Sequence, residues 1–211
     1  MRTAITDTLV TLQPTIHKLI QEFNQIPDDR KIIIKQLTDF VNNKAKTGQK
    51  ILLNFICTHN SRRSHISQVW AQTAAHYYGI GNVETFSGGT ESSAFNIRAV
   101  NAMKQSGFDI TTIKDRDNPV YQVKFSAQAP SLTVFSKRYN DESNPRKDFA
   151  AIMTCSHADE NCPLVPGASA RIALTYDDPK EFDGTPLEAA KYAERVNEIG
   201  RELLYAFSQV K

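Results

Sequence analysis

The run Ile51-Leu52-Leu53-Asn54-Phe55-Ile56-Cys57-Thr58-His59-Asn60-Ser61-Arg62-Arg63-Ser64 decides the fold. Its first six residues form a short, nearly continuous apolar stretch, the pattern of a parallel strand buried on both faces. The polar loop Cys57–Arg63 follows, and a helix is predicted from about Ser64 to Tyr78, closed by Gly79. Loop amides at a helix N-terminus converge on one point and favour negative charge there. A cysteine at that point has its thiolate stabilised and becomes a nucleophile near neutral pH. Arg63, six positions after Cys57, brings a planar fork that holds two oxygens of a tetrahedral oxyanion. Ser64 offers the thiolate a hydrogen bond, and Asn60 a side chain that fixes the loop's shape. Together these residues bind an oxyanion and attack its central atom. A Cys-x5-Arg spacing alone arises by chance in about one chain of this kind in seven. The strand–loop–helix context, with Asn60 and Ser64, lifts it above the competing reading of a buried cysteine beside a surface arginine.

Working outward, Val83–Phe86, Ala150–Thr154 and Arg171–Tyr176 read as further strands. Ser93 is placed to cap a helix whose Ile97, Val100 and Met103 share a face before Gly107. Thr185-Pro186-Leu187-Glu188 combines a capping box with proline at the first helical position, and Tyr192, Val196, Ile199, Leu203 and Phe207 form that helix's apolar face. The alternation predicts an α/β domain over residues 51–211, with a central parallel four-stranded sheet flanked by helices. An insert at about 118–140 breaks it. Val120–Phe125 and Leu132–Arg138, joined through Ala129-Pro130-Ser131, read as an inserted β-hairpin.

Residues 1–50 read as an N-terminal helical extension. Ile5, Leu9, Leu12, Ile16, Leu19, Phe23 and Ile26 fall along one side of a helix that Pro14 kinks or restarts. A second helix carries Ile33, Leu37, Phe40 and Val41. Both are expected to cover the main domain, with a homodimer contact as the alternative.

Among 211 residues, 25 Lys and Arg against 23 Asp and Glu give a net charge of +2, so nothing favours nucleic acid or an anionic membrane. No apolar run is long enough to span a bilayer. Asp7 stands where a signal peptide needs apolar residues, which predicts a cytoplasmic chain. Three cysteines are too few for a secreted disulfide scaffold and point to a reactive thiol, a metal site or buried small hydrophobes.

Two of those cysteines stand in Cys155-Ser156-His157-Ala158-Asp159-Glu160-Asn161-Cys162-Pro163. Seven helical positions separate them by about 10 Å along the axis, whereas a disulfide needs Cα atoms within about 7 Å. Bonding them therefore requires any helical turn between them to unwind. Inert thiols, or a zinc site from Cys155, His157 and Cys162 with one more ligand, are the alternatives, although the spacing fits no common zinc knuckle.

The Cys57–Ser64 segment with its preceding strand and following helix resembles the low-molecular-weight protein tyrosine phosphatase superfamily. Within it, the 155–163 segment resembles that of the thioredoxin-coupled arsenate reductases, including Ala158-Asp159 before the second cysteine and Pro163 after it. The likeness covers about residues 51–115 and 149–208. It implies an arsenate reductase in which Cys57 attacks arsenate and Asp178, the aspartate before Pro179, protonates the departing oxygen. Cys155 then attacks Cys57, Cys162 attacks Cys155, and thioredoxin reduces the Cys155–Cys162 disulfide. No metal or organic cofactor is required. By itself, Tyr176-Asp177-Asp178-Pro179 reads as a plain turn.

The alternative is a tyrosine phosphatase using only Cys57, Arg63 and Asp178, in which water releases the phosphocysteine. Lys180 weighs against it, standing where these phosphatases usually carry an aromatic. A non-catalytic oxyanion or redox sensor is the reading from another class. Thr58, His59, Asn60, Ser61, Arg62 and Ser64 complete the expected oxyanion loop. His59 departs from a usual glycine and Arg62 from a usual small residue or cysteine. Each is read either as shaping the anion site or as facing solvent.

Overall fold

The computed structural model of the chain describes residues 7–161 and 164–211. Its elements are α1 (Gln13–Gln21), α2 (Asp28–Lys46), β1 (Ile51–Cys57), α3 (Arg63–Tyr77), β2 (Val83–Gly89), α4 (Ile97–Gln105), β3 (Asp109–Lys114), β4 (Val120–Lys124), β5 (Leu132–Val134), β6 (Phe149–Met153), α5 (Ser156–Asn161), β7 (Ala168–Ala173) and α6 (Glu188–Ser208). The apolar run after Lys50 forms β1 because strands covered on both faces need side chains that leave water on both. It pairs in parallel with β2 on one side and β6 on the other, and β7 completes the order β2-β1-β6-β7. This is the expected four-stranded parallel sheet. The chain leaves β1 toward one edge and β6 toward the other. That reversal opens a crevice beyond the carboxyl ends of the two central strands. Cys57 closes β1 at that crevice, and Cys155 follows β6 by two residues.

Leu53, Phe55, Ala150 and Ile152 line one face of the sheet with Trp70 of α3 and Val196 and Leu203 of α6. Trp70 is fully buried, edge-on to Phe108 at 4.9 Å. Gly200 lets α6 lie against it: a Cβ there would stand 2.6 Å from the indole Cε2. Ile56, Ala151 and Met153 form a smaller cluster with Ala158 and Val165 on the other face.

The N-terminal helices cover the domain. Leu12, Ile16 and Leu19 around α1 and Ile34, Leu37 and Val41 of α2 are buried in the main core. The apolar stripe behind the homodimer alternative is thus already covered within the chain. Pro14 starts α1 rather than kinking it, which leaves Leu9 ahead of the helix. Ile5 lies outside the described residues.

Three further expectations change. The insert is larger than residues 118–140, because β3 joins β4 and β5 in an antiparallel sheet of order β3-β4-β5. Only Ile110 of β3 is buried, so the strand lacks the apolar run that would have announced it. Asn96, not Ser93, caps α4, its side-chain oxygen accepting the Arg98 N–H at 2.9 Å; Ile97 is then 55% exposed instead of sharing the buried face of Val100 and Met103. Helix α6 begins at Glu188, whose carboxylate accepts the Gly184 N–H, so Thr185 and Pro186 precede the helix. Among the described residues, no helix is long and apolar enough to cross a membrane.

Candidate active site

The loop between β1 and α3 is held from outside by its carbonyls. Cys57 O accepts the Thr90 N–H and Thr58 O the Glu91 N–H. His59 O accepts the Ser93 and Ser136 hydroxyls at 3.2 Å each, and Ser61 O accepts the Asn96 N–H at 2.8 Å. Among the described residues, no backbone N–H from Thr58 to Arg62 donates to a protein acceptor. Carbonyls bound outward and unspent amides at a helix N-terminus make an anion cradle.

Asn60 makes that geometry possible. It adopts a left-handed φ of 45°, which asparagine tolerates better than most residues. Its Oδ1 accepts the Lys137 N–H at 2.8 Å, and its Nδ2 donates to Ser64 Oγ at 2.8 Å. Since Ser64 Oγ accepts from Asn60, its own proton is available to Cys57 Sγ, 3.1 Å away. A hydroxyl donating to the sulfur favours the thiolate. Cys57 is 3% exposed, so its sulfur sits at the floor of the cradle.

Cys155 approaches the same loop from β6. It is buried, its sulfur accepts the Ala158 N–H at 3.3 Å, and Thr58 Oγ1 lies 3.5 Å from it. Thr58 Oγ1 also lies 3.3 Å from His157 Nδ1. The residue after Cys57 thus touches Cys155, bringing the two thiols to neighbouring strand ends. Cys162 lies outside the described residues. Asp159 pairs with Arg171 at 2.6 Å and ties α5 to β7.

Arg63 and Asp178 meet. One Arg63 Nη donates to the Tyr176 carbonyl at 2.9 Å and the other to Asp178 Oδ2 at 2.7 Å. Three of the five guanidinium N–H groups remain for an anion. Asp178 Oδ1 accepts the Lys180 N–H at 3.1 Å, which shapes the turn at Pro179. The two departures from the family pattern resolve differently. His59 faces solvent, 3.6 Å from Glu91. Arg62 is nearly buried, donating from Nε to the Tyr192 hydroxyl at 2.8 Å.

Ser136 and Lys137 escaped the sequence reading, although they connect the insert to the loop. No local pattern marks them, since they reach Asn60 and His59 from 77 positions further along the chain. Lys137 is 6% exposed. Burial pushes its ammonium down to about 8 against the pull of Asp141. Neighbouring His65 is fully buried. Burial first, and then the Lys137 charge, hold its pKa well below the usual value, leaving a neutral ring 3.0 Å from Ser87 Oγ. A lysine whose folded pKa is lowered costs stability while charged, and the cost fades as pH rises from the folded toward the unfolded value. Lys137→Met should therefore stabilise the protein by about 3 kcal/mol at pH 7, with the gain vanishing by about pH 10.5. Denaturant midpoints of both proteins at several pH values test this.

No protein-family profile matches the chain. An arsenate reductase from Brevibacillus brevis is 30% identical over 131 residues, 62% of this chain and 78% of that one. One from Halalkalibacterium halodurans is 29% identical over 155 residues, covering 73% and 93%. Among solved structures, Primo-1 shares the fold with a TM-score of 0.50 at 11% identity, over 75% of this chain and 97% of that one.

Proposed function

The chain belongs to the arsenate reductase family, and on that premise we propose that it reduces arsenate to arsenite, with Cys155 and Cys162 as its electron relay and thioredoxin as the reductant. The observation that carries this reading is the Thr58 hydroxyl lying within reach of Cys155 while the next residue back is the nucleophile. A phosphatase needs no second thiol at that place.

Arsenate enters the cradle of Thr58–Arg62 amides, where Arg63 holds two of its oxygens. The Cys57 thiolate, stabilised by Ser64, attacks arsenic. Asp178 gives a proton to the departing oxygen, which leaves as water. Cys155 as thiolate then attacks Cys57 Sγ. A sulfur–sulfur bond forms and the sulfur–arsenic bond breaks. Its electron pair stays on arsenic, which falls from As(V) to As(III) and leaves as arsenite. Cys162 attacks Cys155, freeing the Cys57 thiolate, and the remaining disulfide takes two electrons from thioredoxin.

The test is arsenate-dependent NADPH oxidation with thioredoxin and thioredoxin reductase, comparing the intact chain with Cys162→Ser. Turnover should disappear in the variant while p-nitrophenyl phosphate hydrolysis, which uses only Cys57, Arg63 and Asp178, persists. No reduction by the intact chain, with equal ester hydrolysis by both proteins, identifies a phosphatase instead.

A further inference from the structure

The proposed chemistry uses the Arg62 amide but not its side chain, and the surroundings of that side chain give it a task. Arg62 directly precedes Arg63, so it belongs to the nucleophile loop, yet its guanidinium turns away toward the chain that carries Asp178. That chain runs from Asp178 through a short 3-10 turn, Pro179–Phe182, to Asp183. Its Asp178 end is pinned by Arg63. Its other end is pinned through a second set of groups. Arg62 Nε donates to the Tyr192 hydroxyl at 2.8 Å, and that hydroxyl donates to Asp183 Oδ1 at 2.8 Å. Arg62 Nη2 lies 3.7 Å from Asp183, and Arg62 Nε 3.9 Å from Asp178 Oδ1. Arg98 reaches Asp183 at 3.8 Å and Glu188 at 2.7 Å, and Glu188 accepts the Gly184 N–H.

We infer that Arg62 is a positioning residue, locking the acid-bearing loop onto the nucleophile loop through Tyr192 and Asp183 so that Asp178 is presented to the departing oxygen. The inference rests on the reading of Asp178 as the general acid. The side chain is 11% exposed, and its only N–H on the ring hydroxyl is spent there rather than on the anion. Burial, and then the bond to Asp183, push the Tyr192 hydroxyl up to about 12, so it keeps the proton it donates to Asp183. The Arg63 contact alone leaves Asp178 on a hinge. An anion drawing on the remaining Arg63 donors competes for that guanidinium's orientation, whereas Arg62 holds the loop through Tyr192 and Asp183, apart from the Arg63–Asp178 pair. A displacement of about 1 Å at a catalytic group costs about 100-fold, so the second anchor has a direct consequence for rate.

The experiment compares Arg62→Ala, Arg62→Lys and Tyr192→Phe with Asp178→Asn. Each is measured for arsenate reduction and for hydrolysis of phenyl phosphate and p-nitrophenyl phosphate. Phenolate leaves poorly without a proton and nitrophenolate leaves readily, so misplacing the acid lowers the ratio of the two kcat values. That ratio should fall about tenfold in Arg62→Ala and about threefold in Tyr192→Phe, with partial recovery in Arg62→Lys. For arsenate, kcat should fall while KM stays within about twofold. Tyr192→Phe removes one oxygen and carries the test if Arg62→Ala does not fold.

Four outcomes overturn the inference. One is an equal loss on both esters, the mark of general disturbance. Another is a raised KM at unchanged kcat, which makes Arg62 an anion binder. The third is a ratio that collapses in Asp178→Asn but not in the Arg62 and Tyr192 variants; it refutes the inference while sparing the acid. A ratio unmoved by Asp178→Asn refutes the acid reading and the inference with it.

Discussion

Cys57→Ser should lose arsenate reduction and ester hydrolysis together, each to below about a thousandth of the intact rate. The groups beside this atom are arranged around a sulfur. Ser64 Oγ stands 3.1 Å from it with its proton free to donate, and Asn60 Nδ2 holds Ser64 in that role. A serine oxygen ionises far less readily than a thiol, and among the described residues the hydrogen-bond partner of this side chain is the Ser64 hydroxyl, which is no base. The substitution exchanges one atom for a slightly smaller one, so the thermal midpoint should shift by only a few degrees and folding does not confound the assay. Measurement of arsenite release and nitrophenolate release decides the point. A variant keeping a tenth of either activity removes Cys57 from the nucleophile's role.

The second large effect is expected far from any reactive atom in sequence. Gly89 ends β2, and its Cα lies against the nucleophile loop. A Cβ there would stand 2.6 Å from Thr58 O and 2.7 Å from Asn60 N, and would also collide with the Glu91 carbonyl. All three are backbone atoms, so relief requires the cradle itself to move. Gly89→Ala should cost about 2–4 kcal/mol of stability and at least about 100-fold in turnover. Gly81→Ala is the control, because nothing lies within 4 Å of its Cβ. It should change stability by less than about 1 kcal/mol. Denaturant titration and turnover of both variants test the contrast, and equal behaviour would mean that the loop tolerates displacement.

These two residues also mark how far the chain can be read without coordinates. Cys57 announces itself locally, through an apolar strand before it, a polar loop after it, and Asn60, Arg63 and Ser64 within seven positions. Spacing along a strand, a turn and a helix is itself geometry, so the loop follows from the order of residues. The same holds for the parallel sheet and for the amphipathic α1 and α6, whose stripes match their buried faces, whereas α2 buries Ile34 and Thr38 with Leu37 and Val41 and leaves Ile33 and Phe40 only half-buried. Strand β3 was missed because an edge strand with one buried side chain has no period to detect. The cap of α4 was misplaced because Ser93 and Asn96 are equally good caps in isolation. Ser93 is instead drawn to the His59 carbonyl by packing against the loop.

Sequence alone thus marked the candidate residues, Cys57 with Arg63 on one loop and Cys155 with Cys162 on another, together with the α/β frame that presents them. Only the tertiary structure decided which groups support them. Lys137 N–H on Asn60, Ser136 on His59, Gly89 beneath the loop and Tyr192 behind Arg62 join positions from 29 to 130 residues apart. The physical reason is that hydrogen bonds and steric contacts act over a few ångströms of space, and a chain folded into a sheet with crossovers brings such positions together without leaving a periodic trace in their order.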